Sequence, residues 1–215
     1  MKKENIIKIL KILRKTYPEP FFGSNVSEDA FQVLIGTVLS QRTKDAKTIS
    51  ASNKLFVKYG TVKEMAAADV KRIEPLIKES GFYKTKARRI KKISQILRDN
   101  YKGKVPKSMQ ELTALPGVGR KTANIVLLYA FGEKEHIPVD THVFKVSNRL
   151  GLVKTKTPEK TEFELMKVVP KKYWGDVNEF FVQHGQKICG TPPKCRMCPL
   201  TKYCRYYSKV FLKQN

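Results

Sequence analysis

Acidic side chains are scarce in this sequence: 19 Asp and Glu stand against 43 Lys and Arg, a formal net charge of +24. Self-repulsion on that scale works against compaction, so the excess does not serve the fold and points to a polyanionic partner. DNA, RNA and an anionic membrane surface all qualify. Long apolar runs are missing as well. None approaches the about 20 residues of a membrane span, and none forms the unbroken apolar core of a signal peptide. The chain is therefore expected to be soluble and intracellular, in cytoplasm or nucleoid. Alternation of β-branched residues never lasts long enough for a strand, which removes sheet architectures. No low-complexity linker, sustained repeat or heptad is present, and a monomer is expected. Cysteine is absent before residue 189, which excludes a disulfide framework spread over the chain.

What is present reads as helices separated by breakers such as "YPEPFFG" and "KGKVP". Ile6, Ile9, Leu10 and Leu13 recur at helical spacing with lysines interleaved, the pattern of a packed amphipathic helix. Membrane-surface binding through that basic helix is the lesser alternative. Further helices are expected over 31–39, 46–59, 62–79, 86–101, 108–115, 120–131 and 141–150, making the class all-α.

All four cysteines fall in "CGTPPKCRMCPLTKYC", with the spacing C-x5-C-x2-C-x5-C at Cys189, Cys195, Cys198 and Cys204. Such crowding suits four thiolate ligands of one metal centre. Zinc usually takes two short knuckles, whereas here one short pair is flanked by two longer arms. The spacing favours an iron-sulfur cube, although both metals accept four thiolates. His184, five residues before Cys189, is a candidate substitute ligand.

The stretch "LPGVGRKTANIVLLYAF", 115–131, reads as the end of one helix, a tight hairpin and a second helix. Gly117 and Gly119 are expected to supply unusual backbone angles, and the hairpin amides with the helix N-terminus form a nest for a phosphate. Lys121 sits on the first turn of a helix buried through Ala123, Val126, Leu127, Ala130 and Phe131, so it is held in place. The helix dipole disfavours a cation there, and partial desolvation is expected to work the same way, toward a free amine, with a bound phosphate opposing both. A free amine can attack an electrophilic carbon. In "IPVDTHVFKVSNRLGL", Asp140 precedes the helical spacing Val143, Val146, Leu150 and reads as an N-cap. Capping explains an aspartate there by itself. The same geometry also fixes a negative charge of the kind that stabilises a developing sugar cation.

Taken in order, "LPGVGRKTAN", "VDTHVFKVSNR", "HGQKIC" and the four-cysteine tail resemble the endonuclease III branch of the helix-hairpin-helix DNA glycosylases, and "VLSQRTKDA" and "SGFYKTKARRIKKI" extend the likeness over nearly the whole chain. The resemblance implies two all-α domains with a DNA cleft between them. A six-helix barrel carrying the hairpin would occupy residues 24–133, and a cluster-bearing domain would join 1–23 to 134–215, with the cluster loop at 189–204. It implies that Lys121 is the nucleophile and Asp140 its carboxylate partner in a bifunctional glycosylase and abasic-site lyase acting on damaged pyrimidines in duplex DNA through a Schiff base. It implies a [4Fe-4S] cluster on the four cysteines, with Lys187, Lys194 and Arg196 facing phosphate.

Several departures bear on specificity. The first cysteine interval is one residue shorter than the family pattern. Arg42 stands where relatives carry a glutamine that fills the space left by a flipped base, and Gln41 serves instead if the loop is shifted. Phe82 replaces an apolar wedge, with core packing its ordinary alternative. The rival readings are a monofunctional mismatch glycosylase and an adenine-removing enzyme, neither of which carries this lysine, and a DNA-binding module without chemistry.

Overall fold

The computed structural model describes residues 3–19 and 29–214, and every regular element among them is helical. The α-helices as far as Lys187 are α1 (Lys3–Thr16), α2 (Ala30–Ser40), α3 (Asp45–Lys58), α4 (Val62–Ala67), α5 (Val70–Ile73), α6 (Tyr83–Asn100), α7 (Met109–Ala114), α8 (Arg120–Phe131), α9 (Thr141–Leu150), α10 (Pro158–Val168) and α11 (Trp174–Lys187). The all-α expectation holds. The chain divides into two compact units, one holding α2 to α8 and ending at Glu133, the other holding α1 and the chain from Lys134 onward. The boundary expected at residues 23 and 24 lies outside the described residues.

In the unit of α2 to α8, α2 packs against α3, α6 and α8. Its successive residues Val33, Leu34 and Ile35 are all buried, so it is enclosed around most of its circumference. Helix α6 instead buries one stripe, Lys86, Ala87, Ile90, Ile93, Ser94 and Leu97. The single helix expected over 62–79 is broken. Ala68 is extended, the Asp69 carboxylate accepts the Lys71 amide at 3.0 Å to start a new turn, and Glu74–Ile77 is a 3₁₀ turn. Pro75 has no N–H to give a continuing α-helix, and a capping aspartate competes with helical continuation. Helix α6 also begins at Tyr83, three residues before the expected start, because Phe82 takes a left-handed conformation as its N-cap.

In the other unit, α11 packs against α9 and α1. The stripe expected on the N-terminal helix, Ile6, Ile9, Leu10 and Leu13, is buried there with Val143, Val146, Val177 and Phe181. Each unit closes its own hydrophobic core.

Candidate functional site

Helix α7 is set by Ser108, whose Oγ accepts the Glu111 amide at 3.2 Å and donates to the Glu111 carboxylate at 2.6 Å. The chain then turns at Leu115–Gly119 and enters α8. Leu115 and Val118 are buried, while Gly117 and Gly119 are exposed. Gly117 has φ +75°, the left-handed region that a Cβ disfavours. Gly119 differs from expectation: at φ −94° and ψ 177° it is ordinary extended backbone. A Cβ added at Gly119 would meet nothing within 4 Å, so neither strain nor internal packing calls for glycine there.

Residues Thr122 to Leu128 are buried without a break, fixing α8 on all sides. Lys121, immediately before them, is exposed. The partial desolvation expected for it is therefore not supplied by the protein's own packing, because the lysine lies at the helix end, beyond the enclosed stretch. Asp140 lies in the other unit. Its Oδ1 accepts the amides of His142 and Val143, both at 2.8 Å, as the expected N-cap of α9.

The side-chain amide of Gln41 donates to the Gly117 carbonyl at 3.0 Å and to Thr122 Oγ1 at 3.3 Å, so it ties the end of α2 to the hairpin. Arg42, exposed and left-handed at φ 53°, stands at the tip of its loop with its guanidinium 5.7 Å from the Phe82 ring centroid. Phe82 is 65% exposed, which rules out core packing for its ring.

In the unit of α1 and α9 to α11, the four cysteines are unpaired and line one pocket together with His184, Arg149 and Tyr206. The Leu200 amide points to Cys198 Sγ at 3.4 Å and the Tyr207 amide to Cys204 Sγ at 3.5 Å. Burial pushes the Cys198 thiol up to about 11, with the neighbouring cysteines adding to it. A thiol raised in this way gives up its proton only beside a cationic centre, and amides aimed at sulfur suit thiolate ligands. Among the described residues, no three Cys, His, Asp or Glu side chains converge on a position for a single ion. His184 is buried, with Nδ1 3.0 Å from the Tyr17 hydroxyl and Nε2 3.5 Å from Cys198 Sγ. It therefore stands around the cysteines as a packed neighbour.

Two residues not anticipated from sequence organise these regions. Arg149 Nη1 donates to the carbonyls of Cys189 at 3.0 Å and Gly190 at 2.8 Å, and its guanidinium lies over Tyr206. Lys86 is buried beneath the Arg42 and Phe82 loops. It sits in register with Ile90, Ile93 and Leu97, a signal visible in the spacing but masked by the surrounding basic run. Lys194 and Arg196 are exposed on the cysteine loop, whereas Lys187 Nζ is engaged with Gln183 at 3.2 Å and lies over the Tyr17 ring.

Residues 35–171 match the family described as HhH-GPD superfamily base excision DNA repair protein. Endonuclease III of Thermotoga maritima is 52% identical over 202 residues, covering 94% of each chain. Among solved structures, a non-covalent endonuclease III–DNA complex superposes with a TM-score of 0.89 at 37% identity, covering 99% of each chain. A trapped endonuclease III–DNA covalent intermediate superposes with a TM-score of 0.85 at 36% identity, covering 98% of this chain and 99% of the other.

Proposed function

The chain belongs to the HhH-GPD superfamily of base excision DNA repair proteins and, within it, to the endonuclease III family, and on that premise we propose that it is a bifunctional DNA glycosylase and abasic-site lyase that removes oxidised pyrimidines from duplex DNA. The observation that carries this reading is Lys121, an exposed primary amine on the first turn of a helix buried from Thr122 to Leu128, directly behind a hairpin with one left-handed glycine, Gly117. The trapped covalent complex formed by a 36% identical relative supports an attacking group of this kind.

In the proposed sequence, Gly117 and Gly119 let the hairpin backbone approach a phosphate closely, and the open space beside Gly119 is where a side chain would intrude. Arg42 and Phe82 enter the duplex from which a damaged nucleotide has been extruded. Lys121, having lost a proton, donates its lone pair to C1′. The C1′–base bond breaks with its electron pair leaving on the base. The nitrogen then carries two protons; one passes to O4′ as the C1′–O4′ bond opens with its electron pair, and the nitrogen lone pair forms the protonated Schiff base. Removal of a proton from C2′ then expels the 3′ phosphate with the C3′–O electrons. Asp140 assists by holding a negative charge against the cationic sugar.

We assign Cys189, Cys195, Cys198 and Cys204 as the ligands of a [4Fe-4S] cluster; four sulfurs ringing a pocket suit a polynuclear centre better than one zinc ion. When bound, the cluster supplies a cross-link that fixes the basic loop bearing Lys194. The α2–α8 unit serves as the barrel domain, and the other unit as the cluster-bearing domain. The protein acts as a monomer at the nucleoid.

Duplex DNA with a single thymine glycol tests this reading through base release and strand nicking, and Asp140→Asn sharpens it. Asparagine caps as well as aspartate, so stability should move by less than about 0.5 kcal/mol. Base release should fall about a hundredfold through loss of the charge. Asp140→Ala, which removes the cap as well, should in addition cost about 1 kcal/mol in a denaturant titration.

A further inference from the structure

Lys86 is 3% exposed, yet its Nζ lies 2.7 Å from the Leu39 carbonyl, 2.6 Å from the Gln41 carbonyl, 2.9 Å from Thr43 Oγ1 and 2.8 Å from Ser80 Oγ. An ammonium has three protons, so these four oxygens saturate it. None of the four belongs to a carboxylate. Burial, with Arg89 adding to it, lowers the lysine to about 8, so the fold holds this charge against its own desolvation. A helix stripe that needed only packing would be served better by an apolar side chain.

The acceptors come from two separate loops. Leu39, Gln41 and Thr43 belong to the end of α2 and the turn after it, and Ser80 to the turn before α6. The same loops are joined by Ser80 Oγ donating to the Leu39 carbonyl at 3.1 Å and the Gly81 amide donating to Thr43 Oγ1 at 3.1 Å. They run so close that a Cβ on Gly81 would meet the Arg42 carbonyl at 2.9 Å. Each loop carries one exposed non-glycine residue in the left-handed region, Arg42 at φ 53° and Phe82 at φ 59°. Such conformations persist where their surroundings over-determine them.

We infer that Lys86 is a positioning residue: its buried ammonium locks the Arg42 loop to the Phe82 loop, so that the stacked guanidinium and ring enter the duplex as one preset wedge. This rests on the glycosylase reading above. Lys86 touches neither DNA nor the reacting carbon; it acts on base extrusion and leaves the chemistry of Lys121 alone.

The test uses the full-length, metal-loaded protein and Lys86→Met, which keeps the volume and removes the donors. A 2-aminopurine placed beside the lesion reports unstacking, and single-turnover assays compare a thymine-glycol duplex with one carrying a pre-formed abasic site. In the variant, the 2-aminopurine signal should be lost and maximal base release should fall about a hundredfold, as for a misplaced reactive group. KM and nicking at the abasic site should change little. Parallel loss of base release and abasic-site nicking, or an undiminished 2-aminopurine signal, would overturn the inference. Should Lys86→Met fail to fold, Thr43→Val with Ser80→Ala removes one acceptor from each loop, and the same split or the same parallel loss decides. A wild-type protein inactive on both duplexes would overturn the glycosylase reading and this inference with it. A wild-type protein active on both, with parallel loss in the variants, would overturn the inference alone.

Discussion

Replacing Lys121 with glutamine should lower strand nicking at abasic sites by at least about a thousandfold, because the variant lacks the amine proposed to supply the electron pair for the Schiff base. The fold should be untouched. Lys121 is exposed, and the helix behind it is anchored by buried residues from Thr122 to Leu128. Surface changes of this kind usually move stability by less than about 0.5 kcal/mol, which a thermal melt would detect. Lys121→Arg separates charge from nucleophilicity, since a guanidinium keeps the cation but stays protonated. It should bind duplex DNA with nearly wild-type salt dependence and be as inactive as Lys121→Gln. An arginine variant that still nicked DNA would assign Lys121 to phosphate binding only.

The second large effect is expected at the cysteines. Cys198→Ala should remove the metal centre, taking iron from about four atoms per chain, as a [4Fe-4S] cluster requires, to near zero. The loop at 189–204 contains only the short 3₁₀ turns Cys195–Met197 and Thr201–Tyr203. Its fully buried apolar anchor is Leu200. So little packing cannot hold the loop without its ligand, and metal-linked folding energy on the order of several kcal/mol should be lost. The α2–α8 unit has its own core, from Phe31 through Ile90 to Val126. Limited proteolysis should therefore cut the variant within 189–204 first and leave that unit longer-lived. Full iron and sulfide in Cys198→Ala would remove that residue from the ligand set. Zinc in place of iron in aerobically and anaerobically purified protein alike would overturn the cluster assignment.

Helices α8 and α9 are legible to the residue because the chain marks their ends chemically. Gly119 and Asp140 stand at the N-caps, and Gly132 and Gly151, both left-handed, follow the last turns. The 62–79 segment misleads because its apolar spacing continues across Ala68 while Asp69 caps a new turn and Pro75 cannot donate. Periodicity sees the face and misses the backbone. Exposure, too, is not written in the local sequence. Lys86 stands in a basic run and Lys121 at the head of an apolar helix, yet it is Lys121 that is exposed and Lys86 that is nearly sealed. The difference comes from tertiary neighbours: the Lys86 site is assembled from the turns around 41 and 80. The surroundings of Gln41 and Arg42 are likewise set by distant segments: the Gln41 amide meets the hairpin carbonyl of Gly117, and the Arg42 guanidinium lies over the Phe82 ring.

In the proposed reaction Lys121 becomes covalently joined to DNA. Borohydride reduction during reaction with a thymine-glycol duplex and an abasic-site duplex tests it most directly, with the adduct located by peptide mass spectrometry. A reduced cross-link on both duplexes, carried by the peptide containing Lys121 and absent from Lys121→Gln, is the expected result. No cross-link on either duplex, from protein that binds DNA and retains its metal, would contradict a lysine Schiff base and leave a monofunctional glycosylase or a binding module in its place.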